Sequence, residues 1–209
     1  MVLAASAFTL LLAAAATAEP VDKATMQREL HTYFEGEKAE GIAFLGAGLA
    51  AFATGSALLG RRTAFARGVA WPVIIVGVIQ TAAGIVVYSR TDAQVTRLDA
   101  QMATDPAGLR KAEVARMRRV STEFVLLKWT ELGLAATGVG LATLGIAKES
   151  ETLKGVGIGL FIQSTAMLVL DLFAAERATR YLDALEKFQV SFTTSPAHTG
   201  SALTVGTWF

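Results

Sequence analysis

Chemistry in this sequence would have to come from polar side chains set inside or at the ends of long apolar runs. Gln80 and Gln163 each stand well within such a run, eight positions before Tyr88 and Asp171 respectively. Lys38, Glu40, Lys128, Glu131 and Asp171 stand at run ends or a turn or two inside them. An ionisable residue in hydrocarbon is expensive, so it marks either a pathway for an ion, proton or substrate or a pairing that offsets its charge. Lys128 and Glu131 are three apart and can pair on one helix face. Close to a boundary, long side chains snorkel to water and charge is cheap. That favours structural ion pairs, gathered at one mouth of a bundle, over a polar path. Gln80 and Gln163 lie about 12 Å inside their exit surface, at 1.5 Å per residue. They are expected to face each other and hydrogen-bond, a contact worth about 0.6 kcal/mol in membrane helices.

Other chemistries are excluded by composition and spacing. The chain has no cysteine, which removes disulfides, thiolates and Cys-based metal sites. Its two histidines, His31 and His198, lie at opposite ends without ligand-like spacing. A net charge of +1, with no basic run interleaved with aromatics, gives no footprint for nucleic acid. Gly155-x-Gly157-x-Gly159 opens an apolar run with no strand before it, so it is no phosphate loop. No nucleophile–base pair, metal cluster or nucleotide motif is visible, and neither a cofactor nor a catalytic activity is expected.

The elements that must position these residues are long helices. Only 18% of the 209 residues are charged and mean hydropathy is +0.46, against roughly 25% charge in soluble domains. Four apolar runs, about 41–60, 68–88, 125–147 and 155–175, are each long enough to cross a hydrocarbon core of roughly 30 Å. Short links after the first and third runs force antiparallel returns. Trp71 and Tyr88 stand at the two ends of the second run, as interfacial aromatics do, and Pro72 falls in its first turn. Gly41, Gly48 and Gly55 recur every seven residues, as do Gly133 and Gly140, and again Gly138 and Gly145. Small residues at that period form a seam where helix backbones approach closely.

Between the runs lie amphipathic segments. Leu30, Tyr33 and Phe34 share a helical face, as do Val95, Leu98 and Met102. Leu109, Met117, Val120 and Phe124 form another, after a turn at Asp105-Pro106-Ala107-Gly108, and Ala178, Tyr181, Leu182, Leu185 and Phe188 a fourth. The expected fold is an all-α membrane protein, four transmembrane helices arranged as two tandem duplicated hairpins, with extramembrane amphipathic helices on one face.

The duplication is read from residues as well as hydropathy. Thr32-x-Phe34-x-x-x-Lys38 recurs as Thr122-x-Phe124-x-x-x-Lys128, and Gly46-x-Gly48-Leu49 as Gly138-x-Gly140-Leu141. Ile79-Gln80 recurs as Ile162-Gln163, and the run 96–100 as 179–184. The repeats span 19–103 and 104–190. Each holds an even number of spans, so the two share an orientation. Residues 1–18 are apolar and end in Ala16-Thr17-Ala18, the form of a cleaved signal peptide, with an uncleaved first span as the alternative. Residues 191–209 read as a disordered tail.

A signal peptide puts the amphipathic layer outside a bacterial inner membrane, with the amino terminus outside. It leaves only Arg61, Arg62, Arg67, Lys148 and Lys154 of the 19 cations inside, the reverse of the positive-inside preference. The expected partners are the lipid bilayer and a protein partner or second copy. The expected role is a non-enzymatic scaffold or accessory subunit, with a small transporter or channel subunit as the alternative.

Overall fold

In a computed structural model, which describes residues 20–189, the chain forms four α-helices and no sheet among the described residues. They are α1 (Lys23–Gly60), α2 (Ala64–Thr104), α3 (Pro106–Ala147) and α4 (Glu151–Lys187). Each start is capped by a short polar side chain. Asp22 accepts from the Thr25 amide at 2.7 Å, and Thr63 accepts from Ala66 at 3.1 Å. Ser150 accepts from Leu153 at 3.4 Å. Each satisfies one amide that the first helical turn leaves without a partner. Asp105 alone separates α2 from α3 and caps Gly108 at 2.9 Å, with Pro106 at the first helical position. The links at 61–63 and 148–150 each turn on one left-handed residue, Arg62 (φ 55°) and Glu149 (φ 51°).

The amphipathic segments are not separate helices. Each continues an apolar run without a break, because the junctions at Glu40–Gly41, Ser89–Arg90, Phe124–Val125 and Ala175–Glu176 contain no proline and no turn residue free to stop a helix. Helices of 37 to 42 residues result, about 60 Å long at 1.5 Å per residue. Since α2 begins at Ala64, Pro72 lies two turns into it rather than in a first turn, and the carbonyl of Gly68 loses its helical donor. Residues 1–18, the tail 191–209 and His198 lie outside the described residues.

The bundle has two halves built on opposite rules. In the polar half, Met26, Leu30, Leu109, Met117 and Leu185 are 0% exposed and join Phe34, Leu98, Met102 and Tyr181 in one core. That is an apolar interior closed by side chains from all four helices. In the apolar half every exposed large apolar residue of the described chain is found, from Ile42 to Phe173, with Leu126 at 67% and Ile146 at 65%. Its interior is instead filled by glycine, including Gly41, Gly48, Gly55, Gly77, Gly84, Gly138, Gly145 and Gly157. Apolar side chains turned outward over small residues turned inward is the arrangement lipid selects. All four helices are long and apolar enough to cross a membrane.

Helix α1 packs along α2, α3 along α4, and the two hairpins meet mainly through α2 and α4. Gly68 of α2 lies on Gly155 of α4, and Gln80 on Met167, so these two helices run parallel and the hairpins point the same way. The glycine seams set the register. A Cβ on Gly48 would lie 2.6 Å from the Gly77 carbonyl, and one on Gly138 would lie 2.8 Å from that of Gly157. Gly133 and Gly140, expected in the α3 seam, are exposed and have nothing within 4 Å of where a Cβ would stand. The seam of α3 is Glu131, Gly138 and Gly145, one face that the other seven-residue series misses by roughly half a turn.

Candidate functional site

Where the polar half meets the apolar half, paired charges form a layer across the bundle. Glu37, on the same face of α1 as Tyr33, accepts from Arg90 of α2 at 3.0 Å. One turn nearer the apolar half, Glu40 accepts from Arg177 of α4. The stem of Arg177 crosses α1 at Gly36, where a Cβ would lie 2.5 Å from its Cδ. Gly36 therefore opens the route by which the guanidinium reaches Glu40. On α3, Arg116 donates to Glu113 at 2.5 Å. Its guanidinium also lies over the rings of Tyr33 (5.8 Å) and Phe34 (5.6 Å), a placement that favours a planar cation.

Tyr33 stacks in turn on Tyr181 of α4, ring centroids 4.7 Å apart and planes 13° from parallel. Burial pushes the Tyr33 phenol up to about 12, with the Glu37 carboxylate adding to the effect and Arg116 opposing it. Burial, followed by the Glu113 charge, likewise raises Tyr181. A cavity of about 190 Å³ lies within this layer, bounded by Tyr33, Glu37, Glu40, Arg90, Arg116 and Arg177.

The structure separates the five charged residues singled out in the sequence. Glu40 joins the central layer. Lys38 stays on the outside, 2.7 Å from Asp92 and over the ring of Tyr88 at 5.1 Å. Glu131 and Asp171 are both buried just inside the apolar half, on α3 and α4. Lys128 forms no ion pair with Glu131; it turns away over the ring of Trp129 at 5.6 Å. Three positions along a helix allowed that pair, but Glu131 belongs to the buried seam and Lys128 to the outer side of α3.

The two glutamines are also not partners. Gln80 donates from Nε2 to the sulfur of Met167 at 3.0 Å, and no hydrogen bond joins it to Gln163 among the described residues. The register of α2 on α4 sets Gln80 beside Met167, which leaves Gln163 one helical turn away, about 6 Å along the axis. Both are buried.

Glu37, Arg90, Arg116 and Arg177 carry the layer and were not singled out from the sequence. A signal existed for two of them: Glu37 continues the buried face of Leu30, Tyr33 and Phe34, and Arg116 falls beside Met117 within the apolar face of α3. The guanidinium–carboxylate pairs tie α1 to α2 and α1 to α4, and stacking ties α3 to α1. The layer's chemistry is charge compensation that fixes helix positions. Among the described residues no three of His, Cys, Asp and Glu are grouped so as to hold a metal ion. Compared with protein-family models, curated proteins and solved structures, the chain matches none.

Proposed function

We propose that this is a non-enzymatic protein of a bacterial inner membrane, a scaffold or accessory subunit whose polar half forms a rigid head that holds a protein partner. The observation that carries this reading is the construction of the head. It has its own apolar core, it is continuous with the four spans, and the ion-pair layer locks it to them. Such a head fixes a docking surface at a set height and rotation above the bilayer. The signal-peptide form of residues 1–18 supports a head on the outer side, and tandem duplication gives the head its two-hairpin form. The equal left-handed turns at Arg62 and Glu149 support that duplication. A second copy of the chain is an alternative partner.

A small transporter or channel subunit is the second reading, favoured by the Glu131–Asp171 pair lying just below the charged cavity. Two experiments separate the readings. Orientation comes from single cysteines at Gln101 and Thr63 in intact cells, a clean measurement in a chain without cysteine. Labelling at 101 alone supports an outward head, and labelling at 63 alone places it in the cytoplasm. Partner holding is tested with a photocrosslinking residue at Lys111 or Arg119 of the head and at Leu134 of the apolar half. A discrete protein adduct from the head positions only is the expected result. Absence of adducts, together with ion flux in proteoliposomes that Glu131→Gln abolishes, would move the assignment to a conduit.

A further inference from the structure

Across the apolar half the helices stand in the order α1, α2, α4, α3, and α1 and α3 do not touch. These two are the edges of the molecule, and their apolar stretches are less covered than those of α2 and α4. In the head the two edges differ in charge. The segment 22–40 holds five acids and three cations, and the segment 106–124 holds five cations and two acids. Glu29 and Glu35 of the first, and Lys111 and Arg119 of the second, have no ion-pair partner among the described residues. Glu35 stands six residues above the apolar run at Gly41 and Arg119 six above the run at Val125, about 9 Å in each case. Glu29 and Lys111 stand about 18 and 21 Å up by the same measure. Arg28 is a like charge at the height of Lys111, and Glu29 beside it offsets it.

Below those charges each edge turns a second helical face outward. On α1 it is Gly46, Ala50, Ala53, Ala57 and Gly60, spaced alternately four and three apart and all exposed. Glu35 lies on this face, three turns above Gly46. On α3 it is Gly133, Ala136, Gly140, Thr143 and Ala147, spaced alternately three and four apart and likewise exposed. Nothing lies within 4 Å of where a Cβ would stand on Gly46, Gly60, Gly133 or Gly140. The inner seams that join α1 to α2 and α3 to α4 have the same seven-residue period.

We infer that a second copy of this chain covers these faces, the outward face of α1 in one copy packing against that of α3 in the next. One bilayer fixes the height and direction of every copy, so only groups at equal height can meet. The acidic edge is level with the basic one, and Glu35 of one copy meets Arg119 of its neighbour. Two acidic edges or two basic edges would repel, so the contact joins unlike faces. Repeated, such a contact closes a ring about the membrane normal or runs on as a row. Small residues let the two backbones approach where lipid offers no hydrophobic drive. The inference rests on the apolar half lying in a bilayer and not on any other protein partner of the head.

The chain has no cysteine, so disulfide trapping between Ala53→Cys and Ala136→Cys chains reads the contact directly. The two sites lie about 18 and 17 Å below their run starts. Differently tagged chains carrying one or the other are mixed in phosphatidylcholine vesicles and oxidised. The mixed 53–136 product is expected to exceed either like pair. It should also exceed the product of Ala53→Cys with Val78→Cys, an exposed α2 site that serves as the collision reference. Glu35→Arg in both chains should lower its initial yield roughly two- to five-fold, and Arg119→Glu added to that variant should restore it. Gly140→Leu should abolish it while unfolding of the dilute chain in detergent is unchanged. Like pairs equal to the mixed product would overturn the proposal, since identical faces would then be in contact. So would a mixed product no higher than the Val78 reference, or one indifferent to both Glu35→Arg and Gly140→Leu. Failure of the chains to float with the vesicles would overturn it together with membrane embedding. The mass of the head photoadduct, twice that of the chain or not, reads a different partner separately.

Discussion

Gly48 of α1 and Gly77 of α2 lie backbone to backbone, with a Cβ on Gly77 meeting the Gly48 carbonyl at 2.8 Å. Gly138 and Gly157 make the same kind of contact in the second hairpin. No side chain fits either place unless the helices separate. Because lipid supplies no hydrophobic drive between spans, that separation gives up the packing which holds each pair together.

Gly48→Leu and Gly138→Leu are therefore expected to lower stability in detergent, read from thermal or denaturant unfolding, by roughly 1–3 kcal/mol each or more. Gly133→Leu and Gly140→Leu, on the open face of α3, should leave it within about 0.5 kcal/mol. Equal effects at all four positions would contradict the assigned seam.

The Glu40–Arg177 pair is largely shielded from water and joins α1 to α4. Removing either partner leaves the other charge without compensation, at about 3 kcal/mol. In a cycle of Glu40→Gln and Arg177→Met, the double variant should be more stable than the sum of the single losses implies. The same cycle on the exposed Lys38–Asp92 pair should give only about 0.2–1 kcal/mol of coupling.

Tyr33 supplies a pH test. Its folded-state pKa of about 12 exceeds the ordinary value of 10.0, so between those values the folded chain keeps a proton that the unfolded chain has released. Its contribution is complete below pH 10 and is lost as pH rises through about 12. Stability measured against alkaline pH should fall over that window, and Tyr33→Phe should flatten the fall while retaining the stack on Tyr181. A profile unchanged by the substitution would show that Tyr33 is not the group responsible.

Glu131 and Asp171 put two buried acids in an apolar surround. Glu131→Gln keeps the shape and removes one charge. It is expected to leave stability unchanged or raise it by about 1 kcal/mol. A large loss of midpoint in the variant, with a midpoint that rises with a monovalent or divalent salt in the wild type but not in the variant, would instead reveal a bound cation.

The four long apolar helices were legible because hydropathy is a property of sequence read along a line. The core faces of the head were legible too: Leu30, Phe34, Leu98, Met102, Leu109, Met117, Ala178, Tyr181 and Leu185 are all buried. What failed was whatever depends on register between helices. Two seven-residue glycine series run along α3, and only contact with Gly157 and Lys154 distinguishes Gly138 and Gly145 from Gly133 and Gly140. Gln80 stands twelve residues after Gly68 and Gln163 eight after Gly155, and only the packing of Gly68 on Gly155 shows that this difference sets the two glutamines a turn apart. Arg116 and Arg177 read as ordinary surface cations until their partners on other helices are known. Continuity of the helices was legible in principle, since nothing at Glu40–Gly41 or Ser89–Arg90 stops one.

Val21 and Phe188 form a parallel bridge, with the Val21 amide donating to the Lys187 carbonyl at 3.2 Å and Gln189 donating to Val21 at 3.1 Å. Entry and exit of the described chain are thus laced together at the summit of the head, about 25 Å above the Glu40 level at 1.5 Å per residue. The mechanical consequence is a fixed order of failure. Tension drawn between the two ends loads this clasp first, then peels α1 from α4 downward through the head, and reaches the spans last. Stretched by its ends, the molecule should open in a small early step followed by larger ones, with the spans the final elements to leave the bilayer.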